Sequence, residues 1–198
     1  MFLPVKDFRE EETQTCILAP SLTFYVGDLV KVVGSGATLY KETLTNASMT
    51  SGAYPIGVLV GFTDSQGRVL GQGQNPSGPV YTSSGQNYLT TSATNLTTEK
   101  YYGVFLPITP LMTFIGDLSA VAGTTNYSGE PYSYFQLSDC RTISESSAVA
   151  HDGTLTNVQV LSLGLVEDEN QPVVSGSISR TKIYCKIIKS AWTRAYTG

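Results

Sequence analysis

The chain carries one histidine, His151, in the polar string Val149-Ala150-His151-Asp152-Gly153. A general base needs a nucleophile within hydrogen-bond reach and a carboxylate to orient its ring. Asp152 points elsewhere if the segment is extended, so a surface loop is the better reading. Cys16, Cys140 and Cys185 are odd in number and far apart, which gives neither a disulfide framework nor a Cys-x-x-Cys metal site. They read as buried free thiols. Glycosidase chemistry needs two carboxylates facing across a cleft, and Asp28, Asp64, Asp117 and Asp139 are the acids from which such a pair would be drawn. The run Glu167-Asp168-Glu169 lacks the spaced oxygens and central glycine of a calcium loop and reads as a solvated turn. Gly34-Ser35-Gly36 and Gly71-Gln72-Gly73 lack the lysine or helix of a phosphate cradle, and no Gly-x-Ser-x-Gly motif occurs.

Surface recognition is the remaining chemistry. Tyr101, Tyr102, Tyr127, Tyr132 and Tyr134 could stack on sugars, although strands also use tyrosine for half-buried packing. Asn46-Ala47-Ser48, Asn95-Leu96-Thr97 and Asn126-Tyr127-Ser128 match glycosylation sequons and are treated as chance matches in a Ser- and Thr-rich chain. Thus no catalytic residue, cofactor or metal ligand is assigned, and the chain is read as not an enzyme.

The elements that would position these residues are strands. Charged residues make up 14% of the 198, against roughly 25% in ordinary soluble domains. Glycine, serine and threonine are abundant, which suits strands and turns. In Tyr54-Pro-Ile-Gly-Val-Leu-Val-Gly-Phe62, the run Val58-Leu59-Val60 sits between glycines and before the turn signal Asp64-Ser65-Gln66-Gly67. Two glycines in five residues would each cost a helix about 1 kcal/mol, so this is a buried strand and the expected centre of the fold.

The flanking chain divides accordingly. Residues 1–15 read as an extended arm with an apolar tip, Phe2-Leu3-Pro4-Val5, and an acidic run, Glu10-Glu11-Glu12. Residues 16–198 read as one β-rich domain, or as two closely packed β lobes. From Cys16 two strands meet at the turn Gly27-Asp28, and Leu29, Val30, Val32 and Val33 make the second largely buried. Thr38 to Lys41 and Arg68 to Leu70 are short strands, and Thr45 to Gly52 is a loop. Gly71 to Pro79 is an exposed loop, Pro79 to Thr82 an edge strand, and Ser83 to Glu99 the most mobile segment. Lys100 to Pro110 is a buried strand, and 111–121 is the one place where a short helix fits. Tyr132 to Ser138 alternates as a half-buried strand, Ser144 to Gly153 is a loop, and Asn157 to Val166 is a long strand. Glu167 to Pro172 is a charged turn, and Lys182 to Ile188 closes the domain. No short-period repeat is visible.

A formal net charge of −4 argues against direct nucleic-acid binding. Arg180, Lys182, Lys186, Lys189 and Arg194 cluster near the end, but in Lys182-Ile-Tyr-Cys-Lys-Ile-Ile-Lys189 the cations alternate with apolar residues, as on a half-exposed strand. No segment reaches the ~20 apolar residues of a membrane span, and no signal-peptide core is seen, so synthesis in a reducing cytoplasm is expected.

The order Gly27-Asp28-Leu-Val30, Tyr54-Pro55-Ile-Gly57-Val-Leu-Val-Gly61-Phe, Tyr102-Gly103-Val-Phe, Val160-Leu-Ser-Leu-Gly164-Leu-Val-Glu-Asp168 and Lys182 to Lys189 resembles the capsid-associated structural proteins of tailed bacteriophages. The likeness runs loosely from Ser21 to Trp192; its motifs are short, and Gly71 to Pro79 and Ser83 to Glu99 depart from it. It implies a non-enzymatic, all-β decoration (cement) or minor capsid protein on the outer surface of the virion head, bridging major capsid subunits or neighbouring copies of itself. The fold expected is a sandwich or partly open barrel of mainly antiparallel strands, with an extended arm and at most one short helix. Phe2, Leu3 and Phe8 on the arm, with Lys182, Lys186 and Lys189 on the closing strand, are the expected contacts. A phage tail or fibre module binding a host glycan, and a β-fold hydrolase, are the alternatives.

Overall fold

A computed structural model describes residues 1–6, 12–34, 42–46, 54–70, 80–81, 87–98, 100–119, 132–137, 139–149, 159–166, 182–188 and 190. Among them the chain is almost entirely β. The strands are β1 (Phe2–Lys6), β2 (Gln14–Leu18), β3 (Thr23–Tyr25), β4 (Leu29–Gly34), β5 (Glu42–Asn46), β6 (Gly57–Asp64), β7 (Val80–Tyr81) and β8 (Asn87–Thr90). After one helical turn, α1 (Asn95–Thr98), come β9 (Tyr101–Pro107), β10 (Thr113–Ser119), β11 (Tyr134–Leu137), β12 (Thr142–Val149), β13 (Val160–Leu165) and β14 (Lys182–Ile187). The chain divides into two compact units. The N-proximal unit holds Arg9–Ala47 and Pro55–Pro107, and the C-proximal unit holds Met1–Phe8, Ser48–Tyr54 and Ile108–Gly198.

In the N-proximal unit, five strands close a barrel in the order β2-β5-β4-β6-β9, with β9 returning antiparallel to β2. The run around Val58 is its centre, because β6 pairs with β9 along almost its whole length and with β4 on its other edge. Leu18, Phe24, Val30, Leu59, Phe62, Leu89, Tyr101 and Phe105 form the core. Each fully buried apolar side chain of this kind contributes about 1.5–3 kcal/mol. Gly57 is needed in β6, since a methyl group there would strike the Phe105 ring and lie 2.8 Å from the Leu106 carbonyl. The turn before β4 places Gly27 at φ 89°, where glycine is favoured, and the Asp28 carboxylate accepts from Tyr25 N at 2.9 Å. Gly27 N donates to Leu59 O at 2.7 Å, tying this turn to β6. A separate sheet of order β3-β8-β7 belongs to the same unit.

In the C-proximal unit the sheet runs β1-β10-β12-β11-β13-β14, and a further pairing of β10 with β14 closes five of these strands into a ring. β1 stands outside the ring. It pairs antiparallel with β10 along the edge that β12 takes over from Asp117 onward. Phe2, Phe114, Leu118, Phe135, Ile143, Val160, Ile183, Cys185 and Ile187 are buried.

The two rings share one strand plan. Numbered along the chain within each ring, the order is first, third, second, fourth, fifth; the first and third strands are parallel and all other neighbours antiparallel. The registers also correspond. Leu59 faces Phe105 and Gly61 faces Val104, leaving Val60 as a bulge; Ser162 faces Cys185 and Gly164 faces Tyr184, leaving Leu163 as a bulge at the same place.

Several local expectations are corrected. The described part of 111–121 is not helical: Thr113–Ser119 is β10, whose partners on both edges outweigh the propensity of an isolated segment. The helical turn lies instead at Asn95–Thr98. Of the loop expected from Ser144, the residues up to Val149 belong to β12, and of the loop expected from Thr45, Thr45 and Asn46 belong to β5; the rest of both segments lies outside the described residues. Arg68 to Leu70 makes only an isolated bridge, between Val69 and Thr63. The segment 83–99 contains β8, the wholly buried Leu89 and the buried Asn95. The first 15 residues hold β1 and the start of β2, so the arm is in part a paired strand. Thr38 to Lys41, His151 and Glu167 to Pro172 lie outside the described residues.

Candidate interaction surface

The acids that could have made a hydrolytic pair each have a place of their own in the fold. Asp28 is buried in its turn. The Asp64 carboxylate accepts from Gln66 N and Arg68 N at 2.9 Å and pairs with Arg68 Nε at 2.7 Å. These contacts, led by the Arg68 backbone N–H, hold Asp64 below the usual carboxylate range. Asp139 accepts from Arg141 N at 2.7 Å and Thr142 N at 2.8 Å, forming the turn into β12. Asp117 pairs with the Met1 ammonium at 3.0 Å, and that ammonium also donates to Arg141 O. Among the described residues no three His, Cys, Asp or Glu side chains group to hold a metal.

The sequons are illuminated at one position. Asn95 is fully buried; its Nδ2 donates to Leu18 O at 2.8 Å and Tyr101 O at 3.1 Å, while its Oδ1 accepts from Tyr101 N at 3.0 Å. An amide so engaged is a structural tie in the fold and offers nothing to a modifying enzyme.

The expected contact residues converge in the C-proximal unit. β14 alternates as its sequence pattern requires: Ile183, Cys185 and Ile187 are buried, whereas Lys182 and Lys186 are half-buried and Tyr184 is 39% exposed. Across the ladders, Leu3 of β1, Ile115 of β10 and Tyr184 of β14 stand in one row on the outer face. Leu161 of β13 faces Lys186. Lys186 Nζ donates to Pro110 O at 3.4 Å and Leu111 O at 3.2 Å, so its stem lies along the sheet and its charge sits beside the exposed Leu111. The result is an apolar and aromatic strip carrying the β14 lysines. Nothing in the sequence singles out Ile115, because 111–121 is where a short helix fits and no strand alternation marks it. Tyr184 was legible from the Lys-Ile-Tyr-Cys-Lys alternation.

Phe2 is placed differently from Leu3. Its side chain is wholly buried, with Cε1 3.0 Å from the position a Gly116 methyl would occupy; Ile143 Cδ1 and Cys185 Sγ lie 2.7 Å and 3.2 Å from the same point. Phe2 is therefore a core residue of its own chain while β1 is docked, and a contact with a neighbour requires β1 to leave. Burial pushes the Cys185 thiol up to about 12, which keeps it neutral and inert beneath this socket. Phe8 and Lys189 lie outside the described residues. No protein-family model, curated protein or solved structure matches the chain.

Proposed function

We propose that the chain is a virion structural protein that decorates and stabilises the head of a tailed phage by binding major capsid subunits from outside. One observation carries the reading: the five segments that resemble phage capsid-associated proteins all fall within the two rings, on the turn before β4 and the strands β6, β9, β13 and β14. A bridging protein needs stiff cores with an outward strip for its partner, and two closed β rings, one carrying Leu3, Ile115, Tyr184 and the β14 lysines, suit that task.

Imaging virions of the phage that encodes the chain, with a tag on the chain, tests the reading. Label over the outer head, lost or reduced with Lys182→Glu/Lys186→Glu, is the expected result. Absence from the particle, or label on the tail alone, overturns it. The glycan-binding alternative has one observation in its favour: Tyr132 is 62% exposed and held at φ 75°, an unusual conformation for a side chain of its size. It predicts tail label together with sugar affinity lost in Tyr132→Ala.

A further inference from the structure

We propose that β1 is an exchangeable strand, and that the socket it fills on β10 also accepts β1 of a second copy of this chain. The socket follows from comparing the two rings. In the N-proximal ring a phenyl group comes from the fifth strand itself, as Phe105. The corresponding position of the C-proximal ring is Cys185, opposite Phe114, and the position beside it on β10 is Gly116. The ring has its own phenyl group in the wholly buried Phe114, but Gly116 has no side chain with which to cover its part of β10. Phe2 covers it from outside, packing over Gly116 beside Ile143 and Cys185.

Three features make this filler separable from what it fills. The ring β10-β12-β11-β13-β14 closes on itself through the β10 and β14 pairing without β1. β1 is short, its ladder is irregular between Pro4 and Lys6, Val5 is 40% exposed, and among its described side chains Phe2 alone is wholly buried. The segment is also distant in sequence from the strand it covers: the chain passes from one unit to the other between Phe8 and Arg9 and returns for β10 only after Pro107. Release of β1 thus breaks one short ladder, the Met1 ion pair with Asp117 and the Met1 hydrogen bond to Arg141 O, and withdraws the Phe2 phenyl group, leaving both closed rings in place. The vacated socket is then satisfied by an identical strand from a neighbour, in the same antiparallel register, with no new interface to be built.

The test uses full-length chains. Leu3 and Ile115 are directly opposed across the ladder and both are half-buried, so each tolerates cysteine. A Leu3→Cys chain is mixed with an Ile115→Cys chain under a mild oxidant, and the bond between positions 3 and 115 is identified by peptide mass spectrometry. Exchange predicts a covalent heterodimer. Because a tethered strand competes at an effective concentration on the order of 1 mM, the yield should climb with chain concentration below that level. Adding Phe2→Ala to the Leu3→Cys chain should reduce the yield, since the anchor is gone.

A chain carrying both cysteines reports the register by closing on itself, and mixing Leu3→Cys with Ser65→Cys, at an exposed turn of the other unit, sets the background. Closure within the double-cysteine chain together with a heterodimer yield no higher than background overturns the proposal. So does failure of the double-cysteine chain to close, because the ladder beneath the socket would then be wrong. Exchange of this kind needs no capsid, so its outcome is read separately from the location of the chain in virions.

Discussion

At the scale of single residues, burial decides what each polar group does. The Thr63 hydroxyl is buried on β6 without a hydrogen-bond partner among the described residues. A buried group in that state carries a desolvation cost with no return, and valine has nearly the same shape and favours strands. Thr63→Val should therefore raise stability by about 1 kcal/mol, read as a higher denaturant midpoint with an unchanged slope. Cys185 makes a prediction of opposite sign at alkaline pH. Burial lifts its thiol from an ordinary 9 to about 12, so the folded state favours the protonated form. The stabilising contribution is complete below the ordinary value and is lost as pH rises through the folded one. Between pH 9 and 12 the wild-type chain should lose more stability than Cys185→Ala, and at pH 8 the folded thiol should resist a soluble disulfide reagent that labels it readily in urea.

At the scale of elements, what could be read in the sequence was what each strand announces by itself. Val58-Leu59-Val60 and the alternation from Lys182 to Ile187 carry enough pattern to be recognised without knowing their neighbours. β10 and β12 do not. Thr113-Phe-Ile-Gly-Asp-Leu-Ser and Thr142-Ile-Ser-Glu-Ser-Ser-Ala-Val are strands because partners distant in the chain complete their ladders, a cause that local propensity cannot register. The same blindness hid the role of Phe2, which looked like the tip of a free arm because Gly116, the residue that makes its socket, lies far along the chain. The socket can be tested through that glycine. A methyl group at Gly116 would lie 2.7 Å from Ile143 Cδ1 and 3.0 Å from Phe2 Cε1, so Gly116→Ala should cost about 1–3 kcal/mol by overpacking. In a Phe2→Ala background the vacated space absorbs the methyl. The two substitutions should then cost clearly less together than their separate costs added, by at least 0.5 kcal/mol in a double-mutant cycle. Simple additivity would mean that the ring does not occupy the space over Gly116.

At the scale of the whole molecule, the chain repeats one five-strand plan, and this was the feature least visible in the sequence. Equivalent positions seldom carry the same residue: Gly61 corresponds to Gly164 at the bulge, but Leu59 corresponds to Ser162, Phe105 to Cys185 and Val104 to Tyr184. Backbone pairing defines the plan, and many side-chain sets satisfy it provided that each ring is filled; in one ring the filling includes a phenyl group brought by a strand from outside. Each ring has its own closed ladder and buries its own apolar side chains, which predicts that it opens as a separate cooperative unit even though the chain crosses between units more than once. Leu59→Ala removes a wholly buried side chain from the N-proximal core and should cost about 2–5 kcal/mol there. Hydrogen exchange should report where the loss falls. Amides of β2, β4, β6 and β9 should exchange faster by the factor corresponding to that cost, while those of β10, β13 and β14 keep their wild-type rates. Ile183→Ala should do the reverse, loosening the C-proximal ring and sparing the other. Equal acceleration in both rings from either substitution would show that the chain unfolds as one body, and the two rings would then be parts of a single cooperative core.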